Sequence, residues 1–65
     1  MDFSNIIKNI RTILKLSQEE LARELGVSFA TINRWENGKS SPSKLALLAV
    51  KDFCSKKGLI YEELK

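Results

Sequence analysis

The strongest constraint on the fold is a close succession of signals that end one helix and begin the next. Ser17 stands three residues before Glu20, the spacing of a capping box, in which the Ser17 hydroxyl accepts from the Glu20 backbone N–H and the Glu20 side chain reaches back. Gly26 readily takes the left-handed conformation that closes a helix, and Ser28 is a second N-cap candidate just beyond it. The spacing predicts two short helices joined by a tight turn.

The segment before this pair is also predicted to be helical. Apolar residues recur there at helical spacing, namely Phe3, Ile6, Ile7, Ile10 and Leu14. They predict an amphipathic helix over about residues 3–15, with Asp2 or Ser4 as its cap.

Further signals place two more helices and a short final segment. The third helix covers about residues 29–37 and stops at Gly38, so it forms a helix-turn-helix with the second. Pro42-Ser43 opens a fourth helix that reaches about residue 56 and is closed by Gly58. The chain then carries apolar residues compatible with one or two helical turns, namely Leu59, Ile60, Tyr61 and Leu64.

Composition limits both the architecture and the chemistry. Three Gly and one Pro cannot supply the turns of a hairpin-rich β fold, and 65 residues leave no room for a second lobe. We expect an all-α fold: a single domain over residues 1–65, built as a compact bundle of four to five helices containing a helix-turn-helix. Without His and with one Cys, the usual general bases, zinc-binding sets and disulfide frameworks are missing. We therefore expect no enzymatic activity, no metal and no cofactor.

The longest apolar run, residues 45–50, is far below the roughly 20 residues of a membrane-spanning helix. We expect a cytoplasmic, nucleoid-associated protein with no membrane contact. Charge is segregated along the chain: residues 16–27 carry a net −2, whereas residues 28–57 carry six Lys or Arg against two acidic residues. Such a polarised surface favours a polyanionic partner, and a solvated lysine-rich face is the alternative.

The third helix has two sides of different chemistry at 100° per residue. One side is predicted to anchor the helix and holds Ser28, Ile32 and Trp35. The other spans about 140° and faces outward with Phe29, Ala30, Asn33, Arg34 and Asn37. Arg can donate two bonds to guanine, Asn can pair with adenine, and a methyl or ring can cover a thymine methyl. The alternative is that these polar side chains are merely solvated.

Taken together, the motifs closely resemble the phage-repressor and Cro-like (XRE-type) helix-turn-helix family. The resemblance covers about residues 6–53. It is carried by Leu16-Ser17-Gln18-Glu19-Glu20-Leu21-Ala22, Leu25-Gly26-Val27-Ser28, Thr31-Ile32-Asn33-Arg34-Trp35-Glu36-Asn37-Gly38-Lys39 and Pro42-Ser43. It implies a lambda-repressor-like bundle whose third helix docks in the major groove.

The family's functional positions can be carried over residue by residue. Base-contacting positions correspond to Phe29, Ala30, Asn33 and Arg34. Positions that contact phosphate, or brace a base-contacting side chain, correspond to Arg11, Ser17, Gln18, Ser28, Thr31, Asn37 and Lys39. The resemblance also implies an ion pair between Arg11 and Glu36 that orients the third helix, with two independent surface charges as the alternative.

Some residues depart from the family pattern or invite a second interpretation. Phe29 occupies a position that is usually polar; it could pack on a thymine methyl, insert against the sugar edge, or cover protein. Lys51 stands near a position that is commonly small and apolar. We expect Trp35 to be a core residue rather than a base-stacking platform, and Cys54 to be a buried filler rather than a redox switch.

The sequence therefore predicts sequence-specific binding of double-stranded DNA by a small transcriptional regulator, a repressor, with no small-molecule ligand. The alternative is a protein-interaction or targeting module of an antitoxin or restriction-modification type assembly. An RNA binder would need exposed aromatic pairs, which the chain lacks. A homodimer on DNA is expected through the C-terminal third, where apolar residues exceed the needs of a small core, notably Leu47, Val50, Leu59, Ile60 and Leu64.

Overall fold

The protein is an all-α bundle in the computed structural model, which describes residues 3–65. The helices are α1 (Phe3–Leu14), α2 (Gln18–Leu25), α3 (Phe29–Glu36) and α4 (Lys44–Lys56), followed by a 3₁₀ turn (Tyr61–Leu64). No strand occurs among the described residues. The predicted fold class and the helix-turn-helix formed by α2 and α3 are confirmed.

The local signals that delimit α2 behave as the sequence predicts. The Ser17 hydroxyl accepts from the Glu20 N–H at 3.0 Å, and the Ser17 N–H donates to the Glu20 carboxylate at 2.8 Å. Gly26 ends the helix with φ of 72°. Two residues later the Ser28 hydroxyl caps α3 by accepting from the Thr31 N–H at 3.2 Å. These caps satisfy backbone groups that a helix end leaves without partners.

The bounds of α1 agree with the prediction to within one residue, but its predicted caps are not confirmed. Asp2 lies outside the described residues. Ser4 is not a cap, because it lies inside α1 and its hydroxyl donates to the backbone carbonyl of Glu36 at 2.6 Å. The helix ends at Leu14, and Lys15 takes the left-handed conformation with φ of 56°, which is uncommon for a residue with a side chain.

All four helices and the 3₁₀ turn contribute to one core. Its buried side chains are Ile6, Ile7, Ile10, Leu21, Ala22, Ile32, Trp35, Val50, Phe53, Cys54, Tyr61 and Leu64. Trp35 is 4% exposed, and the ring of Phe3 meets it edge to face with centroids 5.3 Å apart. Cys54 is a buried free thiol. The predicted core placement of Trp35 and Cys54 is confirmed.

The 3₁₀ turn folds back onto α1 and α4. The Asn9 amide donates to the Leu64 carbonyl at 2.7 Å, and the Leu59 N–H donates to the Cys54 carbonyl at 2.8 Å. The ammonium group of Lys51 lies 5.2 Å from the centre of the Tyr61 ring. Lys51, at a position that is commonly small and apolar in the family, therefore covers an aromatic ring. The final segment therefore closes the bundle.

This closure changes the expected dimer surface. Val50 and Leu64 are buried in the core, and Leu47 and Leu59 pack against it. Among the five residues proposed as dimer contacts, Ile60 alone is largely exposed, at 60%. The large apolar side chains that α4 exposes are instead Leu45, at 79%, and Leu48, at 58%. Four of the five apolar residues expected at a dimer surface are therefore part of the core or packed against it.

Candidate nucleic-acid interface

The outward face of α3 has the composition that its helical spacing predicts. Ile32 and Trp35 are buried on the inner side. Ala30 and Arg34 are exposed, Asn33 is half-buried, and 47% of Phe29 is exposed. Phe29 therefore lies outside the core, although part of it is covered.

Ser28 does not anchor α3, contrary to the sequence prediction. It is exposed at the N-cap, where its hydroxyl lies 3.0 Å from that of Thr31. The N-terminus of a helix attracts anions because its first N–H groups and the helix dipole carry partial positive charge. Ser17 stands at the N-terminus of α2 and is exposed as well. Its hydroxyl uses only an acceptor site in the capping box, so the O–H remains able to donate.

A buried carboxylate, Glu36, joins three helices beneath this face. Its side chain accepts from Arg11 Nε at 2.6 Å and Nη2 at 2.9 Å, and from Gln18 Nε2 at 3.0 Å. Glu36 is 6% exposed. The ion pair between α1 and α3 is present, and the alternative of two independent surface charges is wrong. Two parallel bonds from one guanidinium fix direction as well as distance.

The environment of Glu36 holds its carboxylate in the charged form. Burial by itself raises the pKa of Glu36, but the hydrogen bonds from Arg11 and Gln18 outweigh it, so the pKa lies below its usual value. The burial of Glu36 was not predicted from the sequence. The available signal was its position four residues after Ile32, which places both on the same side of α3.

This network restricts two residues predicted to contact or brace at phosphate. A third Arg11 bond goes to the Leu16 carbonyl at 3.2 Å, so two of the five guanidinium N–H groups stay available. Gln18 commits one amide N–H to Glu36. Arg11 and Gln18 therefore hold α3 in position, and each can bind a phosphate only through the N–H groups that remain without a protein partner.

The C-terminal end of α3 is fixed by side-chain contacts that were not predicted from the sequence. Ser4 donates to the carbonyl of Glu36, as described above. The side-chain amide of Asn37 donates to the Oδ1 of Asn33, four residues earlier. This pair could have been found from the i, i+4 spacing of two amides on one helix face.

The turn after α3 presents Lys39 to solvent. Gly38 takes φ of 70°, and its N–H donates to the Trp35 carbonyl at 3.1 Å. The Lys39 N–H donates to the Arg34 carbonyl at 2.9 Å. The exposed Lys39 ammonium therefore stands on a defined turn at the end of α3. Within residues 3–65, no group of three or more His, Cys, Asp or Glu side chains could hold a metal ion, and no helix is long and apolar enough to cross a membrane.

Comparison with known proteins identifies a family and several relatives that share this domain. The sequence model of the helix-turn-helix family matches residues 7–54. The chain is 38% identical over 55 residues to the HTH-type transcriptional activator BcrR of Enterococcus faecalis, covering 85% of this chain and 27% of that protein. It is 48% identical over 50 residues to an uncharacterised HTH-type transcriptional regulator of Methanocaldococcus jannaschii, covering 75% of this chain and 76% of that protein.

A further relative is an enzyme of much greater length. The chain is 42% identical over 55 residues to the Type II methyltransferase M1.ScrFI of Lactococcus lactis subsp. cremoris, covering 80% of this chain but 14% of the methyltransferase. The chain thus spans about a quarter of BcrR and about a seventh of the methyltransferase. No solved structure matches significantly.

Proposed function

Because the chain belongs to the helix-turn-helix family of DNA-binding domains, we propose that it reads a specific sequence of double-stranded DNA with α3 in the major groove and acts as a small transcriptional repressor. The observation that carries this proposal is the Glu36 network. It holds α3 against α1 and α2 while leaving Phe29, Ala30 and Arg34 exposed. A rigidly held helix with an exposed Arg and small or apolar groups is suited to base edges.

We assign direct base contacts to four residues. Arg34 donates two bonds to a guanine, and Asn33 donates to a base edge. Phe29 covers a thymine methyl, since its ring is about half exposed and lies outside the core. Ala30, which has no long side chain, allows the backbone of α3 to approach the groove.

Phosphate contacts flank these positions. Lys39 supplies a full charge beyond the C-terminal end of α3. Ser17 lies at the N-terminus of α2, and Ser28 and Thr31 lie at that of α3, so their hydroxyls and the nearby N–H groups meet anionic oxygens. Arg11 and Gln18 add their spare donors while keeping α3 in place.

A second copy of the chain would supply the remaining specificity. One module of this size buries about 600 to 1,000 Å² of protein surface on DNA, too little to select one site from a genome. We propose a dimer that reads inverted half-sites about one helical turn apart, using the exposed Leu45 and Leu48 of α4 together with Ile60.

Selection of bound sequences from a random duplex pool tests the DNA-reading proposal. We expect a defined motif for the parent protein and none for the double variant Asn33→Ala with Arg34→Ala, which should keep its helical circular dichroism. The selected site, placed across the start of a reporter gene, should lower expression. An increase in expression would contradict repression, and an unselective parent would contradict sequence reading altogether.

Sedimentation on an isolated palindromic duplex tests the dimer. We expect two molecules per duplex for the parent, and weaker pairing for Leu45→Gln with Leu48→Gln. Ile13→Gln is the matched control because Ile13 is 52% exposed on α1 and lies outside the proposed surface. Saturation at one molecule per duplex, with no inverted symmetry in the footprint, would contradict the dimer.

The identity to a methyltransferase favours a second candidate function, a targeting module within a restriction-modification type assembly. In that case contacts with an attached or associated protein would dominate over autonomous DNA reading. The random-pool selection separates the two functions, since a clear motif for the isolated chain supports the regulator and its absence favours the targeting module.

A further inference from the structure

Asn37 ends α3 in a position from which its side chain turns back along the helix. Its backbone has φ of −89° and ψ of 2°, and its N–H donates to the Asn33 carbonyl at 3.0 Å. The side-chain amide of the same residue donates through Nδ2 to Oδ1 of Asn33. Two bonds therefore link Asn37 to Asn33, and one of them engages the side-chain group that faces DNA in the proposed complex.

The bond between the two side chains determines what Asn33 offers to a base. A free Asn amide rotates between presenting its oxygen, which accepts, and its nitrogen, which donates two hydrogens. With Oδ1 turned toward Asn37, the Nδ2 group of Asn33 is the one directed away from the end of the helix. An Asn that pairs with adenine through two bonds uses its side-chain oxygen as well as its nitrogen. In Asn33 that oxygen is already bonded to Asn37, so adenine would compete with Asn37 for it.

We propose that Asn37 is a positioning residue that fixes the amide of Asn33 with its donors toward the groove, so that Asn33 selects a base with an acceptor edge. Guanine, through N7 and O6, and thymine, through O4, present such edges in the major groove. This inference rests on the proposed function, since it concerns how that interface reads one base pair.

The anchorage of Asn37 makes this orientation a property of the free protein. The carbonyl of Glu36, the preceding residue, is held by Ser4, and the Lys39 N–H is bonded to the Arg34 carbonyl. The Asn37 side chain thus starts from a backbone fixed on both sides. Donors that are already oriented need no reordering when DNA binds. Their preference for one base therefore appears in the binding affinity without an ordering cost.

Selection from a random duplex pool, followed by sequencing, tests the inference on four proteins: the parent, Asn33→Ala, Asn37→Ala and Asn37→Asp. Asn33→Ala identifies the base pair that Asn33 reads, because its preference disappears there. Asn37→Ala frees the Asn33 amide, so the preference at that base pair should fall about five-fold to ten-fold while other positions keep theirs.

Asn37→Asp gives the sharper result. A carboxylate only accepts, so Asn33 must rotate to donate Nδ2–H to it and turn its oxygen toward the groove. The preference at that base pair should move to a base with a donor edge, adenine or cytosine. The added negative charge weakens binding to all sequences alike, so the readout is the relative base preference. Lys39→Ala controls for charge and should leave the preference unchanged.

Melting followed by circular dichroism confirms that each variant is folded. Identical base preferences in the parent, Asn37→Ala and Asn37→Asp would overturn the inference, as would a motif left unchanged by Asn33→Ala. An unselective parent would overturn the proposed function as well, so the two failures are distinguishable.

Discussion

Arg11 and Glu36 are joined by two hydrogen bonds of 2.6 and 2.9 Å across 25 residues of chain. The pair crosses from α1 to the last residue of α3, and Gln18 adds a bond from α2 to the same carboxylate. One buried side chain thus sets the relative position of three helices. The bonds that orient α3 need this carboxylate in its charged form. The orientation of α3 is therefore expected to be sensitive to acid, which protonates the carboxylate.

Glu36→Gln should lower the free energy of unfolding by about 1 to 3 kcal/mol at pH 7, because it removes the charge that Arg11 faces. The pKa of Glu36 is depressed in the folded state, since the bonds from Arg11 and Gln18 outweigh its burial. The stabilisation is therefore fully present above the unfolded value of about 4.3 and is lost as pH falls through the folded value.

Urea unfolding of parent and variant at pH 7 and pH 3 measures this effect. The difference between the two proteins should shrink in acid. The pKa of Glu20 is also lowered, by its bonds with Ser17. Glu20→Gln therefore measures how much of the pH dependence of stability comes from the capping box. A difference between parent and Glu36→Gln that is constant with pH would contradict the role of the charge.

Gly38→Val should cost about 1 to 2 kcal/mol, because φ of 70° is unfavourable for a β-branched residue. A Cβ atom at Gly38 would meet nothing within 4 Å, so the cost comes from the backbone alone. Gly38→Asn, which tolerates the left-handed region, should cost less than half as much and keep DNA affinity. Equal melting temperatures for parent and Gly38→Val would contradict the assignment of this turn.

Arg34→Ala should weaken binding to the preferred site by about 1 to 3 kcal/mol and weaken binding to random DNA much less, since a bidentate contact carries sequence information. Titration of both duplexes at one salt concentration gives the comparison. Arg23→Ala, which removes an exposed Arg from α2, is the matched control. Equal losses on the two duplexes would reassign Arg34 to phosphate.

Lys39→Ala should weaken binding to all sequences to a similar extent and make the slope of log K against log salt shallower by about 0.9, the value of one phosphate contact. Lys56→Ala removes the same charge from an exposed position on α4 and should leave the slope closer to that of the parent. A slope for Lys39→Ala equal to that for Lys56→Ala would remove Lys39 from the interface.

Tyr61→Phe should leave stability unchanged or raise it by up to about 1 kcal/mol, because the Tyr61 hydroxyl is buried without a hydrogen-bond partner among the described residues. The aromatic ring that Lys51 covers is kept in the variant. Thermal melting of the parent and the variant tests this prediction. A melting temperature several degrees lower in Tyr61→Phe would mean that the hydroxyl makes a hydrogen bond in solution.

Local physics made most of the helix ends predictable. The bonds of Ser17 with Glu20 span three residues, and the conformation of Gly26 depends on little beyond its own backbone, so short sequence patterns identified both. Helical periodicity likewise separated the outer face of α3 from its inner face. The Arg11 and Glu36 pair was found through the family resemblance, because nothing in the local pattern connects residues 25 apart.

The errors concern contacts that depend on tertiary packing. Ser4 was a reasonable cap by sequence, yet its partner is a carbonyl 32 residues away. Leu64 was counted as surplus because it is buried by a 3₁₀ turn whose conformation the sequence left open, and Val50 because helical spacing alone did not show which side of α4 faces the core. The Arg11 and Glu36 pair was expected, but the burial of Glu36 was not, since a carboxylate is rarely buried unless partners such as Arg11 and Gln18 converge on it.

The bond from Asn9 to the Leu64 carbonyl spans 55 residues, so the two ends of the described fold must meet before the core is complete. During synthesis, the apolar face of α1 is translated about 50 residues before its last partners, Tyr61 and Leu64. The core cannot close over that face until Tyr61 and Leu64 have left the ribosome, and exposed apolar surface of this kind is prone to chaperone binding or wrong association. The last residues of this fold therefore determine when its first helix is protected.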